Sequence, residues 1–351
     1  MTTVPALSVM MPVYNGEAFL SEAIDSIVNQ TFADFEFIIV DNGSTDKTPE
    51  ILASYANRDS RIRVHHEEKR GVAHAINLAV SLAKGRYIAR MDADDISLPT
   101  RFQQQFDFLE NHPEIGVLGG AMIMIGAEGQ PLRVFQMPRS DSEIRSTAFF
   151  MVNPTVMMRK DAALAVASRQ QLRGAIDYDF LLRALEQCQF ANLDEPLLRY
   201  RIHGNEVSVT HTKNQVMSAL AARAAASFRR LGRPDPLDAA SQIDLQTLDR
   251  LGIDRSEIQK ALLAHHAFWI ELLQKSDGEA ALNYTLQLAR DPSLDRPSRA
   301  YLFLVAASSQ LRKGKTATAA LLAARAVLLK PSLAGHTFKR GFSTLFSTSR
   351  A

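Results

Sequence analysis

The chain has 351 residues, 46% of them hydrophobic and 22% charged, enough to bury a full core and far from the composition of a disordered protein. Lys plus Arg number 40 against 38 Asp plus Glu, a net +2, which argues against a nucleic-acid partner held on a strongly basic surface. That balance hides a split, because residues 1–205 carry 20 basic and 26 acidic side chains whereas residues 206–351 carry 20 and 12. From Arg296 onward there are 10 basic residues and no acid.

The one cysteine, Cys188, excludes an intrachain disulfide and suggests a packed thiol. Residues 1–12 lack the basic and long apolar regions of a signal peptide. The longest apolar run of the first half, residues 116–126, falls short of the roughly 20 residues that span a bilayer. A cytoplasmic location is the expectation.

In chain order, Leu7–Val13 (LSVMMPV) and Phe35–Asp41 (FEFIIVD) are continuous apolar runs rich in β-branched and aromatic residues, as in strands buried on both faces. Residues 61–65 and 86–91 are shorter candidates of the same kind. Between them the period becomes helical: Phe19, Leu20, Ala23, Ile24, Ile27 and Val28, then Ile51, Leu52 and Tyr55, then Val72, Ala75, Ile76 and Ala79. Residues 44–49 (STDKTP) offer capping side chains and an early proline to the second helix. Strand–helix alternation of this length predicts an α/β fold with an open, mostly parallel sheet covered on both faces. After about residue 205 the strand signals fade, and 216–231, 257–274, 279–290, 299–311 and 316–329 read as helices, either an ordinary bundle or stacked hairpins of the tetratricopeptide kind. The expected division is therefore residues 1–205 and 206–351.

In such a sheet ligands bind at the carboxyl ends of the strands. Those ends carry Pro12, Tyr14, Asn15 and Gly16, then Asp41 to Asp46, then residues 65–71, then Asp92-Ala93-Asp94-Asp95. Paired hard oxygen ligands one residue apart suit Mg2+ or Mn2+ together with substrate phosphates. An acidic turn before the helix near Pro99 accounts for the same residues equally well. Arg70 is a candidate phosphate contact, and adjacent His65 and His66 face opposite sides of a strand.

Six ordered motifs go further: SVMMPVYNG, VDNGSTDKT, KGRYIARMDADD, NPTVMMRKD, AIDYDFLLRAL and LLRYRIHGNEVS. Together, over roughly residues 7–205, they resemble a family 2 glycosyltransferase of the inverting, bacterial polysaccharide or lipopolysaccharide type, with a GT-A fold (a Rossmann-like mixed sheet) followed here by an all-α region. The resemblance implies that Pro12, Tyr14 and Asn15 line a nucleotide pocket and that Asp41 accepts the N3–H of uracil. It implies that Asp92 and Asp94 form the Asp-x-Asp pair, Asp92 near the ribose and Asp94 on the metal, with His203 against the metal or diphosphate. Asp177 would be the general base, and Asp179, two residues on, is the competing candidate. The implied partners are a nucleotide-sugar donor, UDP-linked, and a glycan or lipid-linked glycan acceptor whose site is built partly from residues 133–155.

Three positions depart from the family pattern: Ile176 stands where Glu is usual, Asn42 where Asp is frequent, and Asn153 where His often precedes Pro-Thr. A noncatalytic nucleotide-sugar-binding scaffold and a nucleotidyltransferase are the rival readings; the second normally shows a glycine-rich basic loop after the first strand, which Tyr14-Asn15-Gly16-Glu17 is not. Trp269 beside His265 and His266 reads as core rather than as a sugar platform. Phe338, Phe342, Leu345 and Phe346 among Lys339, Arg340 and Arg350 make the basic end a candidate for peripheral contact with the inner face of a membrane.

Overall fold

The computed structural model describes residues 4–68, 71–203, 211–292 and 294–333. Arg70 and the basic end from residue 334 lie outside the described residues, so their expected phosphate and membrane contacts stay expectations. Two compact units form: one holds residues up to Ile202 together with His211–Ile253, the other holds His203 and Asp254 onward.

The first unit is built on a nine-stranded mixed sheet. Its parallel half comprises β1 (Leu7–Val13), β2 (Phe35–Asp41), β3 (Ile62–His66) and β4 (Tyr87–Arg90), in the order β3-β2-β1-β4. The two-residue side-chain period divides these strands cleanly between two layers. Val9, Met11, Val13, Phe37 and Ile39 face a layer formed by α1 (Leu20–Val28), α2 (Thr48–Arg58) and α4 (Arg101–Asn111). Met10, Ile38 and Val40 face α3 (Val72–Leu82), α6 (Lys160–Leu164) and α7 (Ile176–Ala184). Both faces of β1 and β2 are thus largely apolar, as their continuous runs required.

The other half of the sheet runs β4-β8-β6-β9-β5, with β8 at Met157–Arg159, β6 at Ile115–Gly126, β9 at Gln189–Ile202 and β5 at Ile96–Ser97; β7 (Pro131–Phe135) pairs with β6. The chain leaves β1 toward β2 and β3 on one side and returns as β4 on the other, which puts the topological switch point between β1 and β4. Strand β9 escapes sequence reading because its pattern is interrupted. Gly120 pairs with Leu193 while the next residue, Ala121, pairs with Pro196, so Asp194 and Glu195 bulge out of the ladder.

The segment His211–Ile253 packs with this first unit, although composition alone changes character near residue 205. Arg229, on α8 (Thr212–Arg230), pairs with Glu186 at 2.8 Å and Asp235 at 2.6 Å, and Asp235 also pairs with Arg169 at 2.8 Å. A short helix, α9 (Leu245–Arg250), follows.

The second unit contains four helices, Arg255–Ser276, Gly278–Arg290, Arg296–Arg312 and Thr316–Leu329, each packing chiefly on its neighbours in sequence. Asp254, Asp277 and Asp295 cap the first three by accepting backbone N–H bonds, so these acids of the basic half sit where the helix dipole favours them. Trp269 is buried, and buried His266 meets the Tyr284 hydroxyl at 2.8 Å, which makes this aromatic group a core. Among the described residues no helix is long and apolar enough to cross a membrane.

Candidate active site

The loops after β1 and β2 are laced together by polar side chains. The N–H of Asn15 donates to Ser44 Oγ (2.9 Å), that of Gly16 to Thr48 Oγ1 (2.8 Å), and that of Thr45 back to Asn15 Oδ1 (2.8 Å). Of residues 44–49, expected to offer caps to α2, Ser44 and Thr48 hold the β1 loop, while Asp46 Oδ1 accepts the N–H of Thr48, the first residue of the helix, at 3.0 Å. Asn15 is the one described non-glycine residue with positive φ (50°), a conformation asparagine tolerates better than most. Pro12 precedes this turn within β1, and Tyr14 stands about half exposed at its rim.

Asp41 ends β2, fully sheltered. Its Oδ1 accepts from the Ser44 N–H at 3.0 Å and its Oδ2 lies 3.1 Å from His66 Nδ1. A carboxylate has about four acceptor sites, so these partners orient Asp41 without saturating it. Asn42 accepts from the Gly71 N–H at 3.0 Å, a role an amide oxygen fills as well as a carboxylate. Gly71 is needed there: its φ is +148° and a Cβ would collide with the side chain of Gln170. His65 points away from His66 and its burial lowers its pKa.

Across the switch point, Arg90 closes β4. It is buried and directs both Nε (3.0 Å) and Nη2 (2.9 Å) at Oδ1 of Asp92. Burial raises the Asp92 pKa; Arg90 opposes this, while the charges of Asp94 and Asp177 add to it. Asp92 and Asp177 in turn raise the pKa of Arg90 against the effect of its burial. Asp92 thus contacts the Arg90 guanidinium, and Asp94 and Asp177 lie near enough for their charges to act on it. The β1 and β4 loops also abut, since a Cβ on Gly16 would lie 3.8 Å from that of Ala93.

Asp95 is buried. Its Oδ1 accepts the Arg201 N–H at 2.9 Å, its Oδ2 is without a partner, and burial together with Asp94 and Asp92 holds its pKa well above the usual carboxylate range. Arg201 reaches the carbonyls of Asp94 (2.9 Å) and Ala127 (2.7 Å) and pairs with Glu22, its guanidinium lying 4.6 Å from the Phe19 ring centre. Strand β9 therefore holds the acidic loop, and His203 follows its last residue, Ile202. Beneath the loop, Arg101 is fully enclosed, donates to the Arg90 carbonyl at 2.8 Å, and is pushed by burial down to about 9.

Asp177 lies in the first turn of α7, partly exposed, where the helix N-terminus favours negative charge. Asp179 is fully buried in the opposite direction, against Arg183 (2.7 Å) and Arg169 (3.8 Å). Its engagement with two arginines leaves Asp177 as the carboxylate that acts on the Arg90 group. Cys188 fits against Gly116, and burial pushes its thiol up to about 11.

Sequence reading did not single out Arg90, Arg101 or Arg201. Arg90 carried a usable signal: a charge at the end of the apolar run Tyr87-Ile88-Ala89 must find a partner when the strand is buried. Arg101 carried another, a cation in the first turn of a helix, where the dipole opposes it.

Comparison with known proteins agrees with this architecture. Residues 8–165 match the family described as Glycosyl transferase family 2. An uncharacterized glycosyltransferase of Methanocaldococcus jannaschii is 36% identical over 219 residues, spanning 60% of this chain and 76% of that protein. The O-antigen biosynthesis glycosyltransferase WbnJ of Escherichia coli is 32% identical over 228 residues, 63% of this chain and 86% of that one. Among solved structures, S. aureus TarS 1-349 in complex with UDP aligns with a TM-score of 0.51 at 19% identity, covering 95% of this chain and 93% of that one. At that identity the likeness speaks for the fold.

Proposed function

From the premise that the chain belongs to glycosyltransferase family 2, with a GT-A fold and a sugar-transferring activity, we propose a metal-dependent, inverting enzyme that moves a sugar from a UDP-sugar to a hydroxyl of a glycan or lipid-linked glycan in cell-surface polysaccharide synthesis. The observation that carries this reading is the Arg90–Asp92 pair at the switch point (2.9 Å), with Asp94 and Asp177 near enough for their charges to act on it. A relative named for O-antigen biosynthesis and a similarly folded protein crystallised with UDP-GlcNAc support the pathway and donor class. The rival readings, a scaffold without activity and a nucleotidyltransferase, have no such support.

In this proposal Asp177 takes the proton from the acceptor hydroxyl as its oxygen attacks the anomeric carbon and the bond to the diphosphate breaks. Pro12, Tyr14 and Asn15 line the nucleotide pocket, Asp41 accepts from the base, and Arg70 meets a phosphate. Asp94 and His203 would hold Mg2+ or Mn2+, with Asp92 beside them at the ribose. Among the described residues no three acidic, histidine or cysteine side chains form a complete metal cage. The residues fit such an ion: the donors are hard oxygens, Arg90 takes only Oδ1 of Asp92, and neighbouring carboxylates crowd the loop. When bound, the cation neutralises charge developing on the departing diphosphate.

The test is nucleotide release from UDP-sugars by wild type, Asp94→Ala and Asp177→Asn, each with and without EDTA. EDTA and either substitution are each expected to lower turnover by roughly 100-fold or more. Unchanged turnover in EDTA removes the metal from the proposal, and unchanged turnover in Asp177→Asn removes the base.

A further inference from the structure

Helix α1 follows the loop of Asn15 and Gly16, and three polar side chains tie it to the chain that runs on from the acidic loop. Glu22, Ser26 and, just past the helix end, Gln30 follow one another at four-residue spacing, which lines up helical side chains on one face. Gln30 is buried; its Nε2 donates to Ser97 Oγ (3.1 Å) and to the Leu98 carbonyl (2.7 Å), and its Oε1 accepts the Phe102 N–H (3.1 Å). Ser26 Oγ accepts the Ser97 N–H at 3.0 Å. Glu22 pairs with Arg201.

Arg201 extends this row of ties into the acidic loop itself. Its side chain is 3% exposed, and all three guanidinium nitrogens are engaged: Nε on the Asp94 carbonyl, Nη1 on the Ala127 carbonyl in the turn between β6 and β7, and Nη2 on Glu22. Its backbone N–H meets Asp95 Oδ1, and the next residues of the loop, Ile96 and Ser97, pair with Arg199 and Leu198 of β9. A planar guanidinium fork fixes several partners at set directions, which the single ammonium of lysine does not. Helix α1, the acidic loop and the β6–β7 turn are therefore held together through one side chain.

The two ends of this tie bear on the donor. The loop before α1 carries Asn15, assigned to the nucleotide pocket, and the acidic loop carries Asp94, assigned to the cation. We infer that Arg201 is a positioning residue: it holds these two loops at the separation that a nucleoside diphosphate and its cation require, so that each strengthens binding of the other. The inference rests on the reading of Asp94 as a metal ligand in a UDP-sugar enzyme.

The test is calorimetric titration of UDP into the full chain in EDTA and in saturating Mn2+, where the ratio of the two affinities measures the coupling. Wild type is expected to gain roughly tenfold or more in Mn2+, and Asp94→Ala to gain nothing. Arg201→Lys keeps the charge and loses the fork; its affinity in EDTA should stay within about twofold of wild type while most of the gain disappears. Glu22→Gln alters a side chain 56% exposed, frees Arg201 from α1, and should lower the gain about threefold. Arg199→Lys, at an exposed arginine on the same strand, keeps the full gain. A full gain in Arg201→Lys, or an equal loss of affinity in EDTA and in Mn2+, overturns the inference and leaves the metal reading intact. A wild type without the gain removes both. Should Arg201→Lys fail to fold, Glu22→Gln decides, and a gain equal to wild type there overturns the inference.

Discussion

Arg90 occupies the last position of a strand whose three preceding side chains are apolar and buried, and its two bonds to one oxygen of Asp92 fix the carboxylate that opens the acidic loop. The pair is asymmetric: the Arg90 side chain is 5% exposed and that of Asp92 31%. Removing the cation leaves a carboxylate that water reaches only in part. Arg90→Met is thus expected to cost about 2 kcal/mol, below the range for fully enclosed pairs, in urea unfolding. Arg90→Lys keeps the charge but loses the planar two-point contact. It should fold normally and release nucleotide roughly tenfold more slowly, checked by the assay that tests Asp94. At this scale the sequence displayed the acidic residues plainly, because a DADD run after an apolar strand is itself a signal. The arginines that organise them were hidden, since an arginine in a sequence does not reveal whether it faces water or a buried carboxylate.

Elements were legible in proportion to the regularity of their environment. Strands β1 and β2 fall where their apolar runs lie, and the helix expected over 316–329 is Thr316–Leu329, because burial on both sheet faces or on one helical stripe repeats at a fixed period. Strand β5 has two residues and β9 carries a bulge with Asp, Glu and Pro, so neither holds a period long enough to read. Helix packing also sets a pH dependence. In Arg255–Ser276, burial and the neighbouring His265 lower the His266 pKa to about 4 from the usual 6.5, Asp291 opposing in smaller measure. Between those values the unfolded chain binds a proton that the folded chain refuses. Stability is therefore complete above about pH 6.5 and falls as the pH drops toward 4, by about 3 kcal/mol in all. Urea midpoints measured from pH 7 to pH 4.5 should show this slope in wild type and a shallower one in His266→Gln. Parallel slopes would exclude His266 as its origin.

For the whole molecule, the near-zero net charge conceals an acidic half whose aspartates converge and a basic half whose described acids include three helix caps. The paired arginines Arg169 and Arg229 join Asp179, Glu186 and Asp235, and so tie residues 211–253 to the helix that bears Asp177. A chain ending at Ile253 is expected to fold and release nucleotide, whereas one ending at Asn205, which strips Arg229 and Asp235 from buried partners, should aggregate. Equal solubility and turnover of the two would show that the arginine group is dispensable. If the basic end carries peripheral membrane contact, the full chain floats with anionic vesicles and the Ile253 form does not. By itself the sequence determined the α/β class, the order of the early elements and the family motifs, because periodicity and motif spacing are local properties. Only the tertiary structure decided that Asp179 is taken up by Arg183 while Asp177 stays near enough to act on the Arg90 charge, and that residues 211–253 complete the first unit. Each of those depends on which distant charges and rings meet when the chain is folded, and no local pattern records that.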